Sequence, residues 1–188
     1  ALAKFYKENS TAYDVVGLAN YITELDASLA TIQGKIAELK TLISDKETEI
    51  AENVLKNDGV VYAAELDIQL KLKHSRIADI KDLHRVLKSK YLQSDIGSTY
   101  ISIRKDLIKG KLVLFCGTPC QCEALSNFLK SYKCNSEHLI LIDFICHGVP
   151  SQLFFDKSIQ EWERRHKTRI KSFSFREKVI DYKTEAGL

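Results

Sequence analysis

The hydrophobic positions between residues 112 and 145 form two apolar runs that predict buried strands. The first run covers residues 112–115 and the second covers 139–145, and a stretch with helical spacing, about 123–130, lies between them. Apolar runs of this length, bounded by Gly and Pro, are typical of parallel strands that are covered on both faces. Such a unit has a right-handed connection, and both of its strands end at the same edge of the sheet. Ligands of open α/β sheets bind at this carboxyl edge.

A second pattern, with a period of seven residues, covers the N-terminal part of the chain. Apolar side chains occupy its a and d positions, which are Ile22, Leu25, Leu29, Ile32, Ile36, Leu39, Ile43 and Ile50. The flanks are polar, and the seam falters at the d positions Lys46 and Asn53. The pattern is typical of a coiled coil, with two strands if the helices are parallel, and it predicts a homo-oligomer through residues 22–50. The alternatives are one amphipathic helix, or a helix pair folded about Gly34, packed on the domain's own core.

The remaining periodicity predicts short strands and helices in alternation. We expect strands over residues 60–64, 68–74 and 170–175, and helices over 77–91, 98–108 and 152–166. The first two strands are expected to pair through residues 65–67, with His74 as a polar edge residue without a catalytic role. The predicted fold class is therefore α/β, a mainly parallel sheet with flanking helices plus a long N-terminal helical segment. The predicted division is an N-terminal segment (1–12), the heptad segment (13–55) and a truncated α/β core (56–188).

Composition narrows the classes of function. The hydrophobic fraction of 45% is enough for a core, and a net charge of +3 gives no argument for nucleic-acid binding. No run of eighteen apolar residues predicts a membrane span, and residues 1–7 lack the apolar stretch of a signal peptide. Five cysteines, three of them within residues 116–122, form a poor disulfide framework and indicate intracellular thiols or a cofactor site. A cytoplasmic protein is expected.

The turn after the first apolar run has its own chemistry. Thr118 can cap the following helix, and Pro119 suits its first turn. The N–H groups of Cys120 and Gln121 would then point toward the carboxyl edge of the sheet, which we call the rim. A helix N-terminus at the rim favours anions and thiolates. Cys120 is thus a candidate thiolate, a ligand of a metal or cluster, or a neighbour of a cofactor phosphate. The alternative is that cysteines are small buried hydrophobes, which is favoured for three of them, Cys116, Cys122 and Cys134.

Two motifs resemble a known family. Cys-Gly-Thr-Pro-Cys-Gln at 116–121 and Asp-x-x-Cys-His-Gly-Val-Pro-Ser at 143–151 are similar to the coenzyme F420 hydrogenase/dehydrogenase beta subunit family. That family comprises iron–sulfur flavoproteins that pass electrons between clusters, FAD and a substrate such as the deazaflavin. The resemblance extends over about residues 51–178, with further matching stretches at 59–64, 73–74, 89–97 and 173–178.

The resemblance implies a set of site residues. Cys120 and Cys146 would be ligands of an iron–sulfur cluster or cofactor contacts. His147 would donate a hydrogen bond to a flavin or shuttle a proton, unless it only caps the turn before Pro150. Lys90 would suit a flavin or phosphate contact, unless it is one more solvated lysine. The implied cofactor-binding residues are Lys90, Gln93, Ser94, Gly117, Thr118, Pro119, Cys120, Gln121, His147 and Gly148.

The sequence also departs from the resembled family. The family's Gly-Gly turn, which lets the backbone approach a cofactor closely, is replaced by Ala12-Tyr13-Asp14. Residues 13–46 resemble an insertion, and a ferredoxin-type cysteine run is absent. The chain therefore resembles a middle domain of a longer protein that exchanges electrons with another protein or domain.

Three functions are open from the sequence. The first is the redox core of an F420-reducing type of oxidoreductase, with FAD and an iron–sulfur cluster. The second is an assembly module that holds no flavin and oligomerises through its heptads. The third is a thiol-dependent enzyme that uses Cys120 and His147.

Overall fold

In a computed structural model of the chain, residues 15–175 and 182–183 are described, with side chains from residue 20 to residue 175. The predicted segment 1–12, the turn at residues 12–14 and residues 176–178 of the last matching stretch lie outside them. The helices are α1 (Val15–Lys56), α2 (Thr99–Ile108), α3 (Pro119–Ser131) and α4 (Gln152–His166). A 3₁₀ helix covers Ile80–Arg85. The strands are β1 (Val60–Leu66), β2 (Leu72–Ile77), β3 (Val113–Gly117), β4 (Leu139–Asp143), β5 (Arg169–Ile170) and β6 (Tyr182–Lys183).

The main sheet has four strands in the order β2–β1–β3–β4. Strand β3 pairs in parallel with β1 and with β4, whereas β1 and β2 are antiparallel. The predicted fold class, a mainly parallel sheet with flanking helices and a long N-terminal helix, is confirmed. Gly117 and Asp143 are register partners at the ends of β3 and β4, so the segments that follow both strands begin at one edge of the sheet.

The two faces of the sheet carry separate core clusters because side chains alternate along β3. Leu114 packs on one face with Val61, Ile77 and residues 51–55 of α1. Val113 and Phe115 pack on the other face with side chains from α2 and α3, among them Ile103, Leu107, Cys122, Leu125 and Leu129. Strand β3 is therefore covered on both faces, as its apolar run predicted.

Helix α1 is continuous through Gly34, so the predicted alternative of a helix pair folded about this glycine is wrong. A Cβ added at Gly34 would meet no atom within 4 Å. The chain divides into two compact units between Lys46 and Glu47. Within the first unit, the described a and d side chains of the seam are exposed.

The prediction of a helix over residues 77–91 is wrong. Strand β2 continues to Ile77, and only the short 3₁₀ helix follows. The Asp79 carboxylate accepts a hydrogen bond from the Lys81 N–H (2.9 Å) and fixes the start of this turn. Lys88 has φ +71°, which an α-helix does not permit.

Three predicted strands have different bounds. The strand predicted over 60–64 extends to Leu66 as β1. The strand predicted over 68–74 is shifted to β2, because Asp67 accepts hydrogen bonds from the backbone of Gln69 and Lys71 and builds a longer turn. Pairing between β1 and β2 is confirmed. Of the strand predicted over 170–175, only Ile170 belongs to a strand.

Strand β4 departs most from its prediction. Its apolar run predicted a strand covered on both faces, but β4 is an edge strand within the described residues. Ile140 and Leu141 are about 36% and 39% exposed, and Ile145, beyond the strand, is 87% exposed. Within the same residues, no helix combines the length and apolar character needed to cross a membrane.

Candidate functional site

The carboxyl end of β3 is held by the first turn of α3. Thr118 is the N-cap, with extended backbone (φ −69°, ψ 157°), and Pro119 occupies the first turn, as predicted. Gln121 folds back, so that its Oε1 accepts a hydrogen bond from the Thr118 N–H at 3.0 Å. Tyr100 donates its hydroxyl to the Gln121 carbonyl at 2.9 Å and ties α2 to the same turn. The turn is fixed by contacts within the chain.

A chain of hydrogen bonds continues from Gln121 across the sheet. The Gln121 Nε2 donates to Ser94 Oγ at 2.9 Å, and Ser94 Oγ lies 3.0 Å from His74 Nδ1. The His74 Nε2 lies 3.0 Å from the Cys116 carbonyl. A carbonyl only accepts, so His74 carries its proton on Nε2, and Ser94 donates to Nδ1. The network therefore has one consistent set of donors, and it links β2, β3 and α3.

His74 is the site residue that sequence reasoning missed. Its ring is 9% exposed and stacks on Phe115, with centroids 5.0 Å apart and planes 18° apart. Burial lowers the pKa of His74, and the hydrogen bond to the Cys116 carbonyl offsets part of this effect. The period-two pattern held a usable signal, since His74 lies on the same face of β2 as the buried Leu72.

Gly117 is required by this packing. A Cβ built there would lie 2.9 Å from Phe115 Cε1 and 3.0 Å from Gln121 Oε1. Any larger residue would press on the network just described. Packing within the chain is thus one reason for glycine at this position, and the predicted cofactor contact of Gly117 stays a prediction.

The N-terminus of α3 offers fewer donors than predicted. Pro119 has no N–H, the Thr118 N–H is used by Gln121, and the Gln121 N–H donates to the Thr118 carbonyl at 2.9 Å. The prediction that the Gln121 N–H points outward is therefore wrong. The Cys120 N–H remains as a backbone donor that can face a ligand. The Cys120 thiol is exposed and lies 3.1 Å from Thr118 Oγ1, so its hydrogen-bond partner among the described residues is a hydroxyl and not His147.

The segment after β4 approaches the same rim. The Gln93 N–H donates to the Pro150 carbonyl at 3.1 Å, next to Ser94 of the network. Gly148 has φ +95°, and an added Cβ there would meet nothing within 4 Å. His147 is exposed and Cys146 is half-buried. The structure thus brings together the two predicted stretches 93–94 and 117–121, and a backbone hydrogen bond joins Gln93 to Pro150.

Lys90 has a different environment from the predicted one. Its ammonium donates to the carbonyls of Val86, Leu87 and Lys88, at 2.8, 2.6 and 3.1 Å. All three of its protons therefore serve the end of the 3₁₀ turn. Burial lowers the pKa of Lys90 to about 8. Neither a solvated lysine nor a donor aimed outward describes this side chain.

Two of the cysteines pack into the core, Cys122 buried and Cys116 half-buried. Burial raises the pKa of Cys116 to about 12, and burial also raises the pKa of Cys122. Both side chains pack against core clusters, as the alternative for these cysteines predicted. Thiolate chemistry is therefore unfavourable at both. Cys134, half-buried, also packs on the α2–α3 side of the sheet.

No group of three or more His, Cys, Asp or Glu side chains is arranged to hold a metal ion among residues 20–175. Two shallow concave surfaces lie beside α4 instead of at the rim. Charged and polar side chains line them, including Lys71, Asp156, Gln160, Glu163, Arg164 and Arg169.

Comparison with known proteins adds one finding. Residues 110–187 match the family described as the C terminus of the coenzyme F420 hydrogenase/dehydrogenase beta subunit. No curated protein and no solved structure matches the chain. The matched region begins before β3 and contains both cysteine motifs of the rim. The match over residues 110–187 supports membership of the family formed by the C-terminal part of the coenzyme F420 hydrogenase/dehydrogenase beta subunit.

Proposed function

We propose that the chain is the redox core of a coenzyme F420 hydrogenase/dehydrogenase beta-subunit type of oxidoreductase, which passes electrons between iron–sulfur clusters, FAD and a substrate such as coenzyme F420. The observation that carries this proposal is the family match over residues 110–187, which includes both motifs of the rim. FAD, when bound, would supply the redox chemistry, and the protein would bind and orient it.

The geometry supports a role for the rim as a preorganised edge. Gln121, Ser94 and His74 are hydrogen-bonded to one another, and Gln93 is joined to the segment after β4. Sites that bind cofactors need such support, because loosely held groups bind less well. In this proposal Gln93, Ser94, Gly117, Thr118, Pro119 and Gln121 shape the edge.

The groups left facing outward would make the direct contacts. They are the Cys120 thiol and N–H, the exposed His147 ring and the open backbone at Gly148. A positive φ at Gly148 with free space beside it suits close approach of a flat ring. His147 would donate a hydrogen bond or hold a proton at one of its ring nitrogens. Lys90 would act by fixing the turn before Ser94, since its donors are used.

An iron–sulfur cluster fits the described residues only in part. Clusters are usually held by four thiolates, and Cys120 and Cys146 are two. A cluster at this edge would therefore need ligands from another chain or segment, such as the electron donor or acceptor that we propose as partner. All five cysteines are free thiols, which suits a reducing cytoplasmic compartment.

The test is an anaerobic visible absorption spectrum of the purified chain, before and after reconstitution with FAD, iron and sulfide. We expect an oxidised flavin band. After the bound flavin has been reduced chemically and excess reductant removed, added coenzyme F420 should reoxidise it and be reduced in equal amount. The variants Cys120→Ser and His147→Gln should weaken FAD binding, while Cys134→Ser, beyond the far end of α3, should not. A protein that stays colourless after reconstitution would contradict the proposal.

A second function is favoured by one observation, the exposed seam of α1. In this alternative the chain is an assembly module that keeps the family fold and holds no flavin. A colourless protein that oligomerises through residues 22–50 would support it.

A further inference from the structure

The seam of α1 is an apolar stripe without cover in its own compact unit. The side chains at its a and d positions from Ile22 to Ile43 are each between 44% and 57% exposed. Helices gain most of their stability in proteins from packing of an apolar face. A stripe of this length, with polar residues on both flanks, is therefore an interaction surface.

We propose that residues 22–39 of α1 pack against the same residues of a second copy of the chain, in an antiparallel two-stranded coiled coil. This inference goes beyond the redox function and does not depend on it. A second copy is the occupant that the heptad chemistry favours, because a and d seams of Ile and Leu complement one another.

Charge argues against a parallel pair. In a parallel coiled coil each g position faces the e position five residues later on the partner. Lys35 at g would then face the partner's Lys40 at e, and the same repulsion would occur twice by symmetry. Lys46, at a d position, would also face its own copy in the seam. Like charges so close together oppose association.

An antiparallel pair can keep every layer apolar. We consider the register in which the numbers of two facing residues add up to 61. Ile22 then faces the partner's Leu39. In the same register Leu25 faces the partner's Ile36, and Leu29 faces the partner's Ile32. Each of these three layers occurs twice by symmetry, so six layers form without a polar residue.

The flanking charges agree with this register. In an antiparallel pair, e positions face e positions, which brings Asp26 near the partner's Lys40. Side chains on a helix tilt toward its N-terminus. Because the two helices run in opposite directions, Asp26 and the partner's Lys40 lean toward each other. Moving the register by one heptad, to a sum of 68, would place the partner's Lys46 against Ile22 and lose this agreement.

The test is the dissociation constant of the full chain by sedimentation equilibrium. Lys40→Glu keeps a good helix former and turns two attractive pairs into repulsive ones, so the dimer should weaken roughly tenfold. In a parallel dimer the same change would pair Lys35 with a carboxylate and tighten association. The variant therefore reports orientation as well as interface.

Two further variants complete the experiment. Asp26→Lys combined with Lys40→Glu should restore the wild-type dissociation constant, because the pair is reversed. Glu24→Lys, at an exposed position outside the seam and its flanks, should leave it unchanged within about twofold. A wild-type chain that remains monomeric up to millimolar concentration, or a dimer tightened by Lys40→Glu, would overturn the proposal.

Discussion

Replacement of Gln121 by alanine should loosen the rim by a predictable amount. The Gln121 amide accepts from the Thr118 N–H at 3.0 Å and donates to Ser94 Oγ at 2.9 Å. Each hydrogen bond of this kind contributes about 1 kcal/mol net, so the loss is about 2 kcal/mol. The better helix propensity of alanine returns only about 0.3 kcal/mol. The net loss is about 1.7 kcal/mol, and for a chain of this length the melting temperature should fall by about 3–7 °C.

The assay is urea unfolding at fixed protein concentration, followed by the fluorescence of the single tryptophan, Trp162. Gln160→Ala, on the exposed side of α4, is the matched control and should change stability by less than about 0.5 kcal/mol. A double-mutant cycle with Ser94→Ala should give a coupling of at least about 0.5 kcal/mol. Strict additivity, or a loss no larger than that of Gln160→Ala, would refute the network as drawn.

Four other substitutions test packing, helix formation, protonation and hydrogen bonding elsewhere in the chain. Gly59→Ala places a Cβ 2.6 Å from the Val54 carbonyl oxygen and should cost about 1–3 kcal/mol in urea unfolding, whereas Gly34→Ala should increase helicity by circular dichroism. Burial lowers the pKa of His74, so below pH 6.5 the unfolded chain binds more protons than the folded chain. Stability should therefore fall as the pH drops below 6.5. The His74→Gln variant should show a weaker dependence of the melting temperature on pH. Tyr62→Phe removes a 2.7 Å hydrogen bond to the Asp106 carboxylate and should cost about 1.5–3 kcal/mol in urea unfolding.

Three of these substitutions have a clear contrary result. If Gly59→Ala were as stable as the wild type, the turn before β1 would have space for a Cβ atom, contrary to the contacts described. A His74→Gln variant with the same acid profile as wild type would assign the titration to another group. A Tyr62→Phe variant as stable as wild type would mean that Arg76, 2.7 Å from Asp106, satisfies the carboxylate alone.

Sequence patterns predicted the structure correctly where a short local stretch determines the element, as at a helix cap or in an apolar run. Thr118 and Pro119 marked the start of α3, and the continuous apolar run of β3 marked a strand covered on both faces. The signals failed where structure depends on distant contacts. The apolar spacing over 77–91 indicated a helix, but the strand pairing of Ile77 with Val61 and the Asp79 cap prevented it. His74 was predicted to be an edge residue because its partners, Phe115 and Ser94, are distant in sequence and no local pattern indicates them.

Contacts between distant residues also divide the predicted site residues into two classes. Family resemblance named ten cofactor contacts without distinguishing the groups that hold the rim from those that face outward. Hydrogen bonding separates them, since a donor already used inside the chain cannot also bind a ligand without breaking a bond. Gln121 and Lys90 fall in the first class, and Cys120 and His147 fall in the second. Changes in the first class should therefore alter stability and ligand binding together, and changes in the second should alter binding alone.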